Sequence, residues 1–234
     1  MANMLTAPQN LAAALTDVRA RISSAACRAG RAATDVTLIA VTKGHGAATV
    51  AAAVGLGLVD IGENYVQEDV AKQDAVHDGR VVWHFIGALQ SNKTRVVANR
   101  YSWIHTVDRA KLAERLAEQR SPHLPLLNVC VQVNLGAEPG KAGVRPDEVR
   151  DLALRVTRLE RLRLRGLTCI PPAAQDVGAS RRWFRELRQI RDDLVGAGLR
   201  LDVLSMGMSG DFEIAIEEGA THVRIGTALF GARD

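Results

Sequence analysis

Short apolar runs alternate with amphipathic stretches along almost the whole chain. An opening helix is predicted over residues 11–26, where Leu11, Leu15, Val18 and Ile22 share one face. Eight apolar runs typical of buried strands follow, each leading into a helical stretch through a short connection. They lie at residues 36–44, 59–62, 83–87, 103–107, 126–134, 162–170, 201–206 and 221–225.

Eight parallel strands joined by crossover helices in 234 residues are most economically a closed barrel. The pattern therefore predicts an α/β protein with one domain, residues 1–234, folded as a single (β/α)8 TIM barrel. A doubly wound open sheet is the alternative.

The first apolar run ends in a lysine. Residues 36–42 read VTLIAVT, and Lys43 and Gly44 follow directly. An ammonium group at the end of a buried strand must be paired, neutralised or used covalently, unless its stem packs along the strand and the amine reaches water. One interpretation is that Lys43 forms a Schiff base with a carbonyl ligand, which desolvation favours by lowering the pKa of the amine. The other is an ordinary strand-end lysine whose amine reaches water, and this run alone does not decide between the two.

Composition narrows the classes of function. The 30 Lys and Arg exceed the 26 Asp and Glu by a formal charge of +4, but the arginines are scattered, so no nucleic-acid partner is expected. The three cysteines are widely spaced without a CxxC, which indicates neither disulfides nor a metal site and fits a cytoplasmic protein. No apolar run approaches the roughly 20 residues of a membrane span. A transit peptide is a minor alternative to a docked helix at residues 11–26.

Glycine and hydroxyl residues follow the last two predicted strands. The sequence SMGMSGD occupies residues 205–211 after the seventh strand, and RIGT occupies residues 224–227 at the end of the eighth. Barrels of this type often bind phosphate in the loops after strands seven and eight. Backbone N–H groups where a helix begins can hold such an anion, although Ser209 or Thr227 taken alone is more simply a helix N-cap.

Closure of the barrel would place strand eight beside strand one, and therefore Lys43 beside these loops. A ligand with a phosphate at one end and an aldehyde at the other would reach both places, and pyridoxal 5′-phosphate has that shape. Arg224 could donate to the pyridine nitrogen, which would stay largely unprotonated because a guanidinium does not readily give up a proton. The simpler interpretation of Arg224 is a surface ion pair.

Five longer motifs resemble those of the pyridoxal phosphate homeostasis protein family, also called the proline synthase co-transcribed homologues. They are AVTK at 40–43, GENYVQE at 62–68, WHFIGALQSNK at 83–93, GMSGD at 207–211 and RIGTALFG at 224–231. The resemblance runs in the same order from about residue 10 to the C-terminus. It implies a barrel like the N-terminal domain of alanine racemases, with pyridoxal phosphate bound to Lys43.

The resemblance also implies the remaining site residues. Besides Lys43, the positions implied to bind the cofactor are Asn64, His84, Ser209, Arg224, Gly226 and Thr227. Ser209, Gly226 and Thr227 match phosphate contacts, and Arg224 matches the ring-nitrogen contact. His84 taken alone is more simply a core histidine, and Asn92 can equally cap the helix that follows it.

The chain departs from the family at one lysine position and matches it at another. Many members carry a second lysine two positions after the Schiff-base lysine, and His45 stands there in this chain. Any auxiliary role of that lysine in cofactor transfer is therefore in doubt here. Lys141 matches another family lysine, which could receive or relay the aldehyde, and an ordinary loop lysine is the plainer interpretation.

A carrier is favoured over a catalyst. Racemisation needs a base on each face of the bound substrate, and the alanine racemases supply the second as a tyrosine from an additional C-terminal domain. Here the predicted barrel is barely complete at Asp234, and neither Tyr65 nor Tyr101 has an obvious opposing position. We expect a monomeric, non-enzymatic protein that buffers pyridoxal phosphate or delivers it to apo-enzymes. An amino-acid racemase is the alternative, while a phosphate-binding module without this cofactor would leave the Lys43 strand unexplained.

Overall fold

Eight parallel strands close into a barrel in the structure, a computed structural model that describes residues 7–172 and 176–231. Each strand pairs with the next along the chain, and the eighth pairs with the first through Thr37 and His222. The predicted TIM barrel is confirmed, and the open sheet is wrong. The predicted domain spans residues 1–234, of which 1–6, 173–175 and 232–234 lie outside the described residues.

Strands and helices alternate in the predicted order. The strands are β1 (Thr37–Val41), β2 (Asp60–Glu63), β3 (Val82–Phe85), β4 (Trp103–Val107), β5 (Leu127–Val133), β6 (Leu162–Cys169), β7 (Val203–Ser205) and β8 (His222–Ile225). The helices are α1 (Ala7–Arg28), α2 (Ala47–Gly55), α3 (Val66–Ala75), α4 (Thr94–Arg100), α5 (Ala110–Gln119), α6 (Val149–Val156), α7 (Val177–Gly196), α8 (Phe212–Glu217) and α9 (Thr227–Phe230). Short 3₁₀ turns precede β1, α4 and α6 at Ala33–Asp35, Ser91–Lys93 and Pro146–Glu148.

The strands are nearly continuous apolar runs because the barrel buries both of their faces. In β1, Ile39 and Ala40 are completely buried, one facing inward and the other outward toward the helices. The opening helix α1 lies against α8 and α9, and its predicted apolar face of Leu11, Leu15, Val18 and Ile22 is buried. Within the part of the chain that the structure describes, no helix combines the length and apolarity needed to cross a bilayer.

Candidate functional site

A cavity of about 250 Å³ opens where the strands β1, β2, β7 and β8 end. Six of the seven residues predicted to bind a ligand line it: Lys43, Asn64, Ser209, Arg224, Gly226 and Thr227. The apolar part of the wall, which the sequence did not single out, comes from Val41, Ile86, Ile170 and Met208. The predicted meeting of Lys43 with the loops after the last two strands is thus present in the structure.

Lys43 lies in a turn two residues beyond the end of β1. The amide of Thr42 still donates to the carbonyl of Gly62 at 3.1 Å, and the amide of His45 donates back to the carbonyl of Thr42 at 3.0 Å. Gly44 adopts a φ of 77°, a conformation that glycine takes without strain. This turn brings the half-buried Lys43 side chain to the wall of the cavity.

Arg224 reaches the cavity from β8 and is almost fully buried. Its Nη1 donates to the carbonyl and hydroxyl oxygens of Ser205 at 2.7 and 2.8 Å and to Thr168 Oγ1 at 3.1 Å, and Nη2 donates to the Cys169 carbonyl at 2.8 Å. Burial lowers the pKa of Arg224, but a guanidinium stays protonated in proteins. Arg224 is therefore not the surface ion pair of the simpler interpretation.

The loops after β7 and β8 contact one another beside the end of β1. Ser209 Oγ accepts a hydrogen bond from the amide of Ala228 at 3.2 Å, so the Ser209 hydroxyl joins the first loop to the first turn of α9. A Cβ atom on Gly226 would lie 3.3 Å from the Val41 carbonyl oxygen, tighter than most such contacts. Hydroxyl groups and a glycine without a side chain therefore form this wall, an arrangement suited to an oxyanion such as phosphate.

Asn64 directly follows β2 and also lines the cavity. Its Oδ1 is buried and lacks a hydrogen-bond partner among the described residues. A buried amide oxygen in that condition costs free energy, so a ligand that donates to it gains affinity. A second cavity, of about 190 Å³, shares Asn64 and Ile86 with the first and is also lined by Lys141.

Comparisons with known proteins identify the family to which the chain belongs. The family model described as "Alanine racemase, N-terminal domain" matches residues 15–234. The pyridoxal phosphate homeostasis protein of Pseudomonas aeruginosa is 51% identical over 231 residues, covering 99% of this chain and 97% of the relative. The protein of the same name from Escherichia coli K12 is 47% identical over 227 residues, covering 94% of this chain and 95% of the relative. The chain belongs to the pyridoxal phosphate homeostasis protein family.

The barrel of this chain is also similar to solved structures. The structure of PipY from Synechococcus elongatus with PLP bound has a TM-score of 0.84 and 37% identity, covering 94% of this chain and all of that one. An alanine racemase from Clostridium difficile has a TM-score of 0.75 and 18% identity, covering 96% of this chain and 57% of that chain. The racemase shares the fold, and the predicted resemblance to the homeostasis family is confirmed.

The family motif that contains His84 does not bring this residue into the cavity. His84 is completely buried inside the barrel, where its ring contacts Asp60 and His105 instead. Successive side chains on a strand alternate between faces, so Ile86, two residues further on, takes the inward position at the cavity. The prediction that His84 lines the pocket is therefore corrected, because a motif gives order along a strand and not depth inside the barrel. Asn92 lies in the turn before α4 and also does not line the cavity.

Neither tyrosine of this family member lines the cavity. Tyr65 precedes α3 and is 50% exposed. Tyr101 is buried, and its hydroxyl donates to Asp69 at 2.7 Å. His45, at the position of the second family lysine, packs against Phe230 with 5.3 Å between the ring centroids.

A buried polar cluster supports the turn that carries Lys43. Thr42 donates through its hydroxyl to Glu63, and Lys72 pairs with Glu63 while donating to the Thr42 carbonyl at 2.9 Å. Asp69 packs beside them, and burial raises its pKa to about 7, with the nearby Glu63 adding to the shift. The cluster ties the end of β1 to β2 and α3, and it holds Asp69 protonated in weakly acidic solution.

Asp69→Asn is expected to flatten the pH dependence of stability. Because the carboxyl binds its proton more tightly in the folded chain, with a pKa of about 7 against 3.8 in the reference state, the free energy of unfolding falls as pH rises through that interval. The expected slope is about 1 kcal/mol per pH unit. Urea unfolding across this pH range should show the slope in the wild type and in the control Asp147→Asn, which alters an exposed carboxylate. Equal slopes in Asp69→Asn and wild type would contradict the assignment.

Gly87→Ala is expected to displace Asn64 and destabilise the barrel. A Cβ at position 87 would lie 2.3 Å from the Asn64 carbonyl oxygen, so backbone rather than a flexible side chain must move. Such overpacking costs about 1 to 3 kcal/mol. Gly79→Ala is the control, since its Cβ would meet no atom within 4 Å. Urea unfolding and the Asn64 amide chemical shift should change only at position 87, and an unchanged Asn64 shift there would show that the close approach is relaxed elsewhere.

Proposed function

We propose that this protein binds pyridoxal 5′-phosphate through Lys43, buffers it and delivers it to apo-enzymes, without catalytic turnover of its own. The observation that carries the proposal is the single cavity in which an amine, a guanidinium and a hydroxyl-lined wall meet. Those three kinds of group match the aldehyde, the ring nitrogen and the phosphate of that cofactor. The names of the curated relatives and the PLP-bound PipY structure support the same ligand.

The groups that line the cavity match those of the cofactor in kind. Gly226 leaves space where a side chain would press on Val41, and Ser209 and Thr227 present hydroxyl groups beside it. The unpartnered Oδ1 of Asn64 can accept a hydrogen bond from a ligand hydroxyl group. The cavity therefore offers both charge and hydrogen-bonding capacity to the proposed ligand.

Each side chain has a separate part in holding the ligand. The bound cofactor supplies an aldehyde that reacts reversibly with amines. Lys43 provides the amine, and Ser209 and Thr227 orient the phosphate end. Arg224 would donate to the ring nitrogen of the cofactor while keeping its own proton on the guanidinium.

The tyrosines argue against the racemase alternative. A racemase needs a second base on the face opposite the lysine. Tyr65 is half exposed outside the cavity, and Tyr101 donates to Asp69 beneath the Lys43 turn. The exposed Ile170 and Met208 at the cavity wall instead leave a route for exchange of the ligand with the surroundings. We infer a monomeric cytoplasmic carrier.

A transfer experiment separates the carrier from the catalyst. The protein is loaded with pyridoxal phosphate, freed of excess cofactor and incubated either with an apo-enzyme that requires the cofactor or with L-alanine. We expect activity to return to the apo-enzyme and no D-alanine to form. Steady production of D-alanine would contradict the proposal, as would an apo-enzyme that stays inactive beside the loaded protein but recovers with free cofactor.

A further inference from the structure

Five polar side chains form a continuous hydrogen-bonded line through the barrel, from Asp60 at the start of β2 to Arg224 at the cavity. The Asp60 Oδ1 to His84 Nε2 and His84 Nδ1 to His105 Nε2 distances are both 3.0 Å. The line continues from His105 Nδ1 to Ser205 Oγ at 2.9 Å and from Ser205 Oγ to Arg224 Nη1 at 2.8 Å. The line thus connects the amino-terminal end of the barrel with the cavity at the other end.

The hydrogen bonds of this line all have the same direction. An ionised carboxylate only accepts, so Nε2 of His84 carries a proton and, in a neutral ring, Nδ1 accepts from His105. Nε2 of His105 therefore carries that ring's proton, and its Nδ1 accepts from the Ser205 hydroxyl. With its proton committed to His105, the Ser205 oxygen presents a lone pair to Arg224. Every donor consequently points away from Arg224 and toward Asp60.

The surroundings keep both rings neutral. Burial lowers the pKa of His84, although Asp60 opposes the shift. Burial lowers the pKa of His105 further below its usual value, with His84, His222 and Arg224 adding to the effect. Trp103 stacks on His84 with 5.5 Å between the ring centroids. Among the described residues, no group of three or more His, Cys, Asp or Glu side chains is arranged to hold a metal ion.

Arg224 requires such support because it is a buried cation held by neutral acceptors. No carboxylate of residues 7–172 or 176–231 lies within ion-pair distance of it, and the charge of Asp211 acts on it only from farther away. Its contacts are the carbonyls and hydroxyls of Ser205, Thr168 and Cys169. Hydrogen bonds in a chain polarise one another in a low-dielectric interior, so the Asp60 carboxylate strengthens the acceptor at the far end.

We propose that this line positions Arg224: Asp60 sets the tautomers of His84 and His105, which orient the Ser205 hydroxyl so that its lone pair holds the guanidinium. Asp60 is then a positioning residue for the ring-nitrogen contact, although it lies at the opposite end of the barrel from the cavity. The effect on the ring-nitrogen contact rests on the proposed function. The histidine tautomers and the fixed position of the Arg224 side chain do not depend on it.

The first test uses the protein without added cofactor. Nitrogen-15 chemical shifts of the imidazoles should show His84 and His105 both protonated at Nε2 and bare at Nδ1. Asp60→Ala should shift the resonances of both rings and of the Arg224 side chain, whereas Asp60→Asn keeps an acceptor but loses the charge and should shift them less. Protonation of His105 at Nδ1 in the wild type, or an Arg224 signal unmoved in Asp60→Ala, would overturn the proposal.

The second test follows pyridoxal phosphate binding by absorbance titration. Asp60→Ala should weaken binding roughly three- to tenfold, the range expected of coupling through a contact network. In a Ser205→Ala background, where the line is cut beside Arg224, the same change should have no further effect. Asp202→Ala, which removes a carboxylate paired with Arg165, is the control.

These two tests distinguish failure of the hydrogen-bonded line from failure of the proposed function. Additive effects of Asp60→Ala and Ser205→Ala would show that Asp60 acts through general stability, and would contradict the line. If the wild type bound no pyridoxal phosphate, the proposed function would fail while the tautomers would still decide the line. Circular dichroism checks that Asp60→Ala folds, as expected for a side chain that is 28% exposed. If this variant does not fold, the tautomers of His84 and His105 in the wild type still test the proposed line.

Discussion

Lys43→Ala is expected to abolish covalent loading with pyridoxal phosphate while leaving the barrel folded. Lys43 lies in a turn beyond β1 and is only half-buried, so its truncation leaves no cavity in the core. A change in unfolding free energy within about 1 kcal/mol is typical of such positions. The hydroxyl-lined wall and Arg224 remain, so weak reversible binding should persist while borohydride fixes no cofactor to the variant.

Lys141→Ala is the matched control for this prediction. Lys141 lines the neighbouring cavity and pairs with Glu138 in an exposed loop, so its loss should leave covalent loading intact. Circular dichroism and urea unfolding report the fold of both variants. A Lys43→Ala protein that unfolds, or that still gains a borohydride-stable adduct, would contradict the role given to Lys43.

Arg224→Met is expected to impair both stability and binding. The substitution removes the donor from four buried acceptor contacts on Ser205, Thr168 and Cys169. Each buried acceptor left unpaired costs about 1 to 3 kcal/mol, and relief from burying a cation offsets part of the sum. We expect a loss of about 3 kcal/mol in unfolding free energy and pyridoxal phosphate binding weakened at least about tenfold.

Arg224→Lys distinguishes charge from geometry in this prediction. Lysine keeps the cation but offers one nitrogen instead of a planar fork, so it cannot satisfy the separated acceptors together. We expect intermediate stability and binding weaker than in the wild type, measured by urea unfolding and absorbance titration. If Arg224→Met had the stability of the wild type, the four hydrogen bonds of Arg224 would contribute nothing to the free energy of unfolding, and this prediction would be contradicted.

The barrel was predictable because burial on both faces makes each strand an apolar run. The length of β7 was harder to predict. The apolar run at 201–206 predicts a longer strand, but regular strand pairing covers only Val203–Ser205. Met206 donates to the His222 carbonyl outside that regular stretch. Strand order follows from sequence pattern, whereas strand length depends on the register of neighbours distant in the chain.

The candidate site was predictable wherever its residues follow strand ends. Lys43, Asn64, Ser209 and Thr227 each come just after a strand, where barrel geometry gathers them. His84 lies within a strand, and its partners are 24 and 21 residues away in the sequence. Ser205 and His105 are 100 residues apart and still in contact. Such contacts depend on depth inside the barrel, which no local pattern expresses.

The measurement that tests the central claim most directly is absorption spectroscopy of the wild-type protein with pyridoxal phosphate, followed by borohydride reduction and peptide mass mapping. Binding through Lys43 predicts a visible absorption band that is lost on reduction, with the added mass on the peptide that contains this lysine. An adduct located only on other lysines, or no band and no adduct, would contradict the assignment of Lys43 as the residue that holds the cofactor.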